Sequence, residues 1–206
     1  MTPQEFAAQA PIHPDSLSDY QRWEALLQKW NARINLVAPK SLPDFWQRHA
    51  LDSAQAVSFI PKSARTIVDF GSGAGFPGVA IAIQAKHEGL DQTVHLIESA
   101  GKKASFLKSV SRETRLNTVV HAARIEAIPT LKADVITARA FAPLHRLLPL
   151  AWLHLSEGGQ ITLLKGSSVD AEIIEAQRSW SFKTQMTPSL SDESGCVLTL
   201  TDLAPL

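Results

Sequence analysis

Four glycines fall within eight residues in Gly71-Ser72-Gly73-Ala74-Gly75-Phe76-Pro77-Gly78, directly after the β-rich run Thr66 to Phe70. Glycines at alternate positions let a backbone turn tightly and come close to a ligand, and a helix that follows them presents free N–H groups. A flat or anionic ligand suits such a place. Asp69 adds a carboxylate at the end of the run, which favours a cationic group such as an amino-acid ammonium and repels a pyrophosphate. Residues 73 to 78 also satisfy G-x-G-x-x-G, with Glu98 about twenty residues further on, so a dinucleotide site is the competing reading. The rigid Phe76-Pro77 step is atypical of that turn. A glycine turn that only packs strand against helix is the plainest alternative.

The other chemistry-bearing residues recur at the ends of short β-rich runs. Glu98 closes a second run and is placed to accept the hydroxyls of a ribose. Arg124-Ile125-Glu126 follows a third run, Ala138-Arg139 ends a fourth, and Lys165 ends a fifth. A parallel sheet brings all of these to one edge, where open α/β sheets bind their ligands. Arg139 has a fork suited to a carboxylate or a carbonyl, with an ion pair to Asp134 or Glu126 as the structural alternative. Lys165 can hold a phosphate or the target base, or stand in solvent. Arg48 and His49 lie outside the sheet and help close the site, anchor Asp52 or serve buried architecture.

The elements that position these residues follow from periodicity. Tyr20, Trp23, Leu27, Trp30 and Ile34 predict a helix over 15 to 36, capped by Asp15 or Ser18, with its tryptophans packing on the core. A shorter helix runs from Phe45 past Ser53 and ends before Pro61. Strands are predicted at 66–70, 93–98, 118–122, 135–137 and 160–164. Helices alternate with them at 77–86, 102–114, 143–155 and 169–179, with one turn at 125–128. The runs 181–186 and 196–201 are close enough to form an antiparallel hairpin. The fold class is therefore α/β, with residues 1–64 as a helical extension on a core domain of residues 65–206.

Composition sets the outer limits. Twenty Lys and Arg balance twenty Asp and Glu, which excludes a strongly basic nucleic-acid coat. One cysteine, Cys196, forms no internal disulfide, and no paired histidine motif supports a metal. No signal segment or long apolar run is evident, so a cytoplasmic chain without membrane contact is expected, with a monomer as the simplest state.

The order Asp69-x-Gly71-x-Gly73-x-Gly75, Glu98, Ile125-Glu126 resembles the class I S-adenosylmethionine-dependent methyltransferases. That resemblance implies a Rossmann-like, mostly parallel seven-stranded sheet ending in an antiparallel hairpin. More narrowly, the chain resembles the RsmG (GidB) family of bacterial small-subunit ribosomal RNA methyltransferases. The narrower match rests on Trp30-Asn31 with Asn35-Leu36, on Arg48-His49-x-Leu51-Asp52-Ser53 and on the glycine loop through Gly78. It continues in Glu98-Ser99 with Lys102-Lys103 and Phe106-Leu107, in Arg139-Ala140 and in Lys165-Gly166.

The family implies methyl transfer to N7 of one guanine in the decoding region of 16S rRNA, within the small subunit or an assembly intermediate. By matched position it implies S-adenosylmethionine contacts at Gly71, Phe76, Ile125, Glu126 and Arg139. Gly73 and Gly75 complete the loop around the methionine end, and Glu98 takes the ribose. The chain departs from the family at Ala127, often acidic there, and at Ala138, often Ser. Net zero charge is compatible with RNA because it is a regional cancellation: residues 99–165 carry ten basic and four acidic side chains, and residues 166–206 carry two and six. A modest local patch of this kind binds RNA in a salt-sensitive way.

Overall fold

A computed structural model describes residues 1–206. The chain opens with a helix that the apolar spacing does not predict, α1 (Pro3–Gln9). Its signal is polar. Thr2 and Glu5 form a reciprocal capping box, and Pro3 occupies the first turn, where its missing N–H costs nothing. The long helix α2 (Leu17–Asn31) is shorter than the predicted 15 to 36. It stops because the Asn31 side chain accepts the N–H groups of Leu36 (2.9 Å) and Val37 (3.0 Å), folding the chain back on itself. Neither Asp15 nor Ser18 caps it. A 3-10 turn over Pro14–Ser16 leads in, and Ser16 Oγ donates to the His13 carbonyl.

The second predicted helix is three pieces in series: a π-helical stretch Phe45–Leu51, α3 (Asp52–Gln55) and a 3-10 turn Ala56–Phe59. β1 (Thr66–Phe70) then starts the sheet, followed by α4 (Gly78–His87), β2 (Thr93–Ile97), α5 (Gly101–Thr114) and β3 (Thr118–His121). One 3-10 turn, Ile125–Ala127, is the only helix between β3 and β4 (Ala133–Arg139). α6 (Leu144–His154), β5 (Leu155–Lys165), α7 (Val169–Ala176), β6 (Trp180–Pro188) and β7 (Cys196–Pro205) complete the chain.

The sheet order is β3-β2-β1-β4-β5-β7-β6. β1 to β5 run parallel, while β7 pairs antiparallel with both β5 and β6. The order reverses between β1 and β4, so their carboxyl ends flank the crevice where such sheets hold ligands. The predicted strands 135–137 and 160–164 prove to be the middle of β4 and the C-terminal half of β5. Asp134 interrupts the apolar signal of β4, and Gly158 and Gly159 interrupt that of β5, yet both strands continue through these positions.

One face of the sheet shares a buried cluster with the N-terminal helices. Phe6, Tyr20, Trp23 and Phe45 join Val79, Leu96 and Phe106, so residues 1–64 have no core apart from the sheet's. The opposite face is covered by α6 and α7 through Val68, Phe70, Ile136, Leu147 and Leu148. No helix is long and apolar enough to cross a membrane. Phe6 is fully buried, with ring centroids 4.9 Å from Tyr20 and 5.2 Å from Trp46. Phe6→Ala is expected to lower unfolding stability by about 3 to 5 kcal/mol, read as a drop in the urea midpoint. A loss below about 1 kcal/mol would mean that α1 is not docked in this way.

Candidate active site

The carboxyl ends of β1, β2 and β4 converge, as their parallel register requires. Glu98 follows β2 and is nearly buried. One carboxylate oxygen accepts the Gly73 N–H at 3.0 Å, and the other accepts the Ala100 N–H at 2.7 Å. A carboxylate has about four acceptor sites, so both oxygens retain capacity for ligand hydroxyls. Gly73 has φ +54°, and a Cβ there would meet only the Gly71 carbonyl oxygen, at 3.7 Å. The loop thus forms an open cradle beside an acceptor pair, which fits the ribose and amino-acid ends of S-adenosylmethionine.

Gly75 is a different case. Its φ of +99° disfavours any side chain, and a Cβ would overlap Val79. The loop is also held from the side. The indole N–H of Trp23, on α2, donates to the Ala74 carbonyl at 3.0 Å. Core packing predicts the burial of this tryptophan but not its grip on the loop.

Asp69 does not line the cradle. Expected as a partner for a cationic ligand group, it is fully buried beneath the loop, where Thr137 Oγ1 donates to it at 2.8 Å. A Cβ at Gly78 would press on this carboxyl and on Leu96, so the glycine is what lets α4 start so close to β1. Burial raises the Asp69 pKa to about 6, against the opposing effect of its hydrogen bonds.

Arg139 organises the other side of the crevice. Its Nη1 donates to Asp52 Oδ2 at 3.0 Å and to the Arg48 carbonyl at 3.3 Å, and its Nη2 donates to His49 Nδ1 at 3.2 Å. The guanidinium carbon lies 4.3 Å from the centroid of the Phe76 ring, on which His49 also stacks at 4.8 Å. The ion-pair partner is therefore Asp52, not Asp134 or Glu126. Asp134 instead accepts the Arg65 and Thr66 N–H groups at the start of β1, and Glu126 lies on the surface 3.6 Å from Arg124. Arg48 contributes its carbonyl, while its side chain is exposed.

Lys165 does not stand free in solvent. It donates to Glu172 at 2.7 Å and to the Ala142 carbonyl at 3.1 Å, bracing the loop after β4. Ile125 is buried in its 3-10 turn, leaving little more than its edge for an adenine. The residues that sequence reasoning left without a definite role are Asp52 and His49. Their signal was the Arg48-His49-x-Leu51-Asp52 spacing, which places three acceptors on one helical surface. No group of three or more His, Cys, Asp or Glu is arranged to hold a metal ion.

Burial lowers the His49 pKa to about 4, helped by the Arg139 and Arg48 charges. The neutral ring then carries its proton on Nε2, donates to Ser41 Oγ at 3.1 Å and accepts from Arg139. The two shifted groups act oppositely on stability. Between pH 6.5 and 4 the unfolded chain binds a proton at His49 that the folded chain does not, so acidification destabilises. Between pH 6 and 3.8 the folded chain binds one at Asp69 that the unfolded chain does not, so acidification stabilises. The effects largely cancel near pH 5. Asp69→Asn keeps an acceptor for Thr137 and removes one of them. Urea titrations should show its stability falling more steeply than the parent's from pH 6.5 to 4.5, by up to about 1.4 kcal/mol per pH unit. Parallel curves for the two proteins would refute the assignment.

Comparison with known proteins places this arrangement in context. Residues 16–195 match the family model described as rRNA small subunit methyltransferase G, GidB. The Ribosomal RNA small subunit methyltransferase G of Rhodospirillum rubrum is 43% identical over 203 residues, covering 98% of each chain. That of Paramagnetospirillum magneticum is 42% identical, covering 99% of this chain and 97% of its own. Among solved structures, an O-methyltransferase from Bacillus cereus in complex with SAH superposes with a TM-score of 0.59 at 17% identity, over 87% of this chain and 90% of that one. M. jannaschii TYW2 in complex with AdoMet gives 0.60 at 14% identity, over 85% and 80%. These structural likenesses establish a Rossmann-like methyltransferase fold. The sequence match goes further: the chain belongs to the rRNA small subunit methyltransferase G family.

Proposed function

We propose that this chain transfers a methyl group from S-adenosylmethionine to N7 of a guanine in the decoding region of 16S rRNA, within the small subunit or an assembly intermediate. Family membership supports the RNA class. The observation that carries the cofactor assignment is the Glu98 carboxylate bonded to the Gly73 N–H, beside a loop open to a ligand. In this reading Gly71, Gly73, Gly75 and Phe76 enclose the amino-acid end, Glu98 takes the ribose, and Ile125 and Glu126 border the adenine. Asp69 acts from beneath, by holding the loop.

Bound S-adenosylmethionine supplies a methyl group activated by a sulfonium. A guanine N7 already has a free lone pair, so the protein needs no general base. The groups around the crevice agree with that economy. His49 has both ring nitrogens engaged, and Asp69 is out of reach of solvent. The protein's task is orientation, which by itself accounts for large rate effects when reacting atoms are held in line. Arg139 is the residue placed to do it. Three of its five N–H donors are engaged by protein acceptors, which leaves two for a ligand carboxylate or a guanine carbonyl.

The test uses small subunits from cells lacking this modification, labelled cofactor, and mapping of the product. Incorporation as 7-methylguanosine at one decoding-region position is expected. S-adenosylhomocysteine should raise the melting temperature while NAD does not. Methylation elsewhere in the RNA, or of protein alone, would overturn the substrate assignment. Arg139→Lys keeps the charge but loses the fork, and turnover should fall by about 100-fold or more, as expected when alignment is lost.

A further inference from the structure

The Asp52 carboxylate faces two ways. Its Oδ2 holds Arg139, and its Oδ1 accepts from Gln55 Nε2 and from Ser191 Oγ, each at 2.9 Å. Ser191 lies in the loop joining β6 to β7, 139 residues away in sequence. Gln55 completes the join. Its Oε1 accepts the Leu190 N–H at 2.8 Å, which fixes the amide orientation, since a backbone N–H can only donate. Its Nε2 must then face Asp52 and Ser189 Oγ, at 2.9 and 3.0 Å. All three hydrogen bonds of this buried amide go to Asp52 or to the β6–β7 loop.

The loop is stiff enough to act as an anchor. The Ser189 N–H donates to the Gly195 carbonyl and the Gly195 N–H to the Asp192 carbonyl, both at 3.0 Å. The Ser191 N–H bonds back to Ser189 Oγ at 3.1 Å. Asp192 accepts the N–H and hydroxyl of Ser194, each at 2.9 Å. A carboxylate held on one oxygen by two neutral donors, one from the braced loop and one from an amide that the loop itself fixes, has little freedom in how it presents the other oxygen. A guanidinium engaged by that other oxygen inherits the constraint.

We propose that Asp52 is the positioning residue for Arg139 and that the β6–β7 loop sets Asp52 through Ser191 and Gln55. The C-terminal hairpin thereby governs the rate of methyl transfer without touching cofactor or RNA. This rests on the reading of Arg139 as a ligand-facing residue. The chemistry is that of an outer layer of hydrogen bonds tuning an inner charged group, and it separates stability from alignment. A purely structural latch predicts loss of folding with activity per folded molecule unchanged. A positioning chain predicts the reverse.

The experiment compares full-length parent, Ser191→Ala, Ser191→Thr, Asp52→Asn and Arg139→Lys. Each is measured for kcat and KM on undermethylated small subunits, for S-adenosylhomocysteine affinity by calorimetry, for melting temperature, and for Arg139 side-chain nitrogen NMR. Ser191→Ala should lower kcat on the order of tenfold with KM for RNA and melting temperature close to the parent's. Ser191→Thr, which keeps the hydroxyl, should restore it. Asp52→Asn should lower kcat further, and in both damaging variants the Arg139 Nη signals should show faster rotation without any ligand present. Parent-like kcat and Nη rotation in Ser191→Ala, while Arg139→Lys is inactive, would sink the proposal and leave the Arg139 reading intact. Losses that merely track melting temperature, with no recovery in Ser191→Thr, would sink it equally. Parent-like turnover in Arg139→Lys would overturn the Arg139 reading and the proposal with it.

Discussion

A guanidinium held largely away from water, at 19% side-chain exposure, is the constraint around which the site is built. Removing a cation from water costs several kcal/mol unless acceptors and an opposite charge replace the lost hydration. The strand that carries Arg139 cannot supply them, because its own carbonyls belong to the sheet. They come instead from the helical extension: the Arg48 carbonyl, the His49 ring and the Asp52 carboxylate, with the Phe76 face beneath. One charge therefore fastens β4, the glycine loop and the N-terminal helices together. Burial and the neighbouring Arg48 charge draw the Arg139 pKa down, and the Asp52 and Asp69 carboxylates oppose them.

The π-helical geometry of Phe45–Leu51 belongs to the same constraint. A wider helical turn shifts which carbonyls are available, and here the Arg48 carbonyl serves Arg139. Phe45 and Trp46, from the same stretch, are buried against Trp23 and Phe6. The segment thus serves packing on one side and charge on the other. Trp23 links the two, since its ring lies among these aromatics while its N–H holds the glycine loop. The extension acts as part of the site's wall rather than as an appendage.

How much of this was legible in the sequence depends on the range of the interaction. The glycine loop, the alternation of strands and helices, the short turn at Ile125 and the antiparallel hairpin are all encoded locally and are read correctly. α1 was locally encoded too, in Thr2-Pro3 and Glu5, but polar caps are invisible to apolar periodicity. The end of α2 was not legible from spacing, because Ile34 keeps the helical period while the Asn31 side chain captures the backbone ahead of it. Asp69 was misplaced for a related reason. Position at a strand end suggests solvent, and only the packing of Gly78 and Thr137 over the carboxyl shows it covered. For partners separated by long stretches of chain, such as Arg139 with Asp52 or Asp52 with Ser191, local spacing can mark one member, as it does Asp52, but does not name the other.

The same pairings change what zero net charge means. The basic surplus of residues 99–165 counts Arg139 and Lys165, yet both are neutralised inside the protein by Asp52 and Glu172. Arg112 and Arg124 are partnered on the surface by Glu113 and Glu126. Exposed pairs of that kind are weak and exchange readily for a phosphate, whereas the two inner pairs are held by several bonds and do not. Lys102, Lys108, Arg115, Lys132 and Arg146 are the exposed charges a polyanion meets, whereas the two crevice cations already have carboxylate partners. Charge that attracts and charge that orients are carried by different residues. Salt then weakens encounter through the first set while leaving the geometry of the second in place.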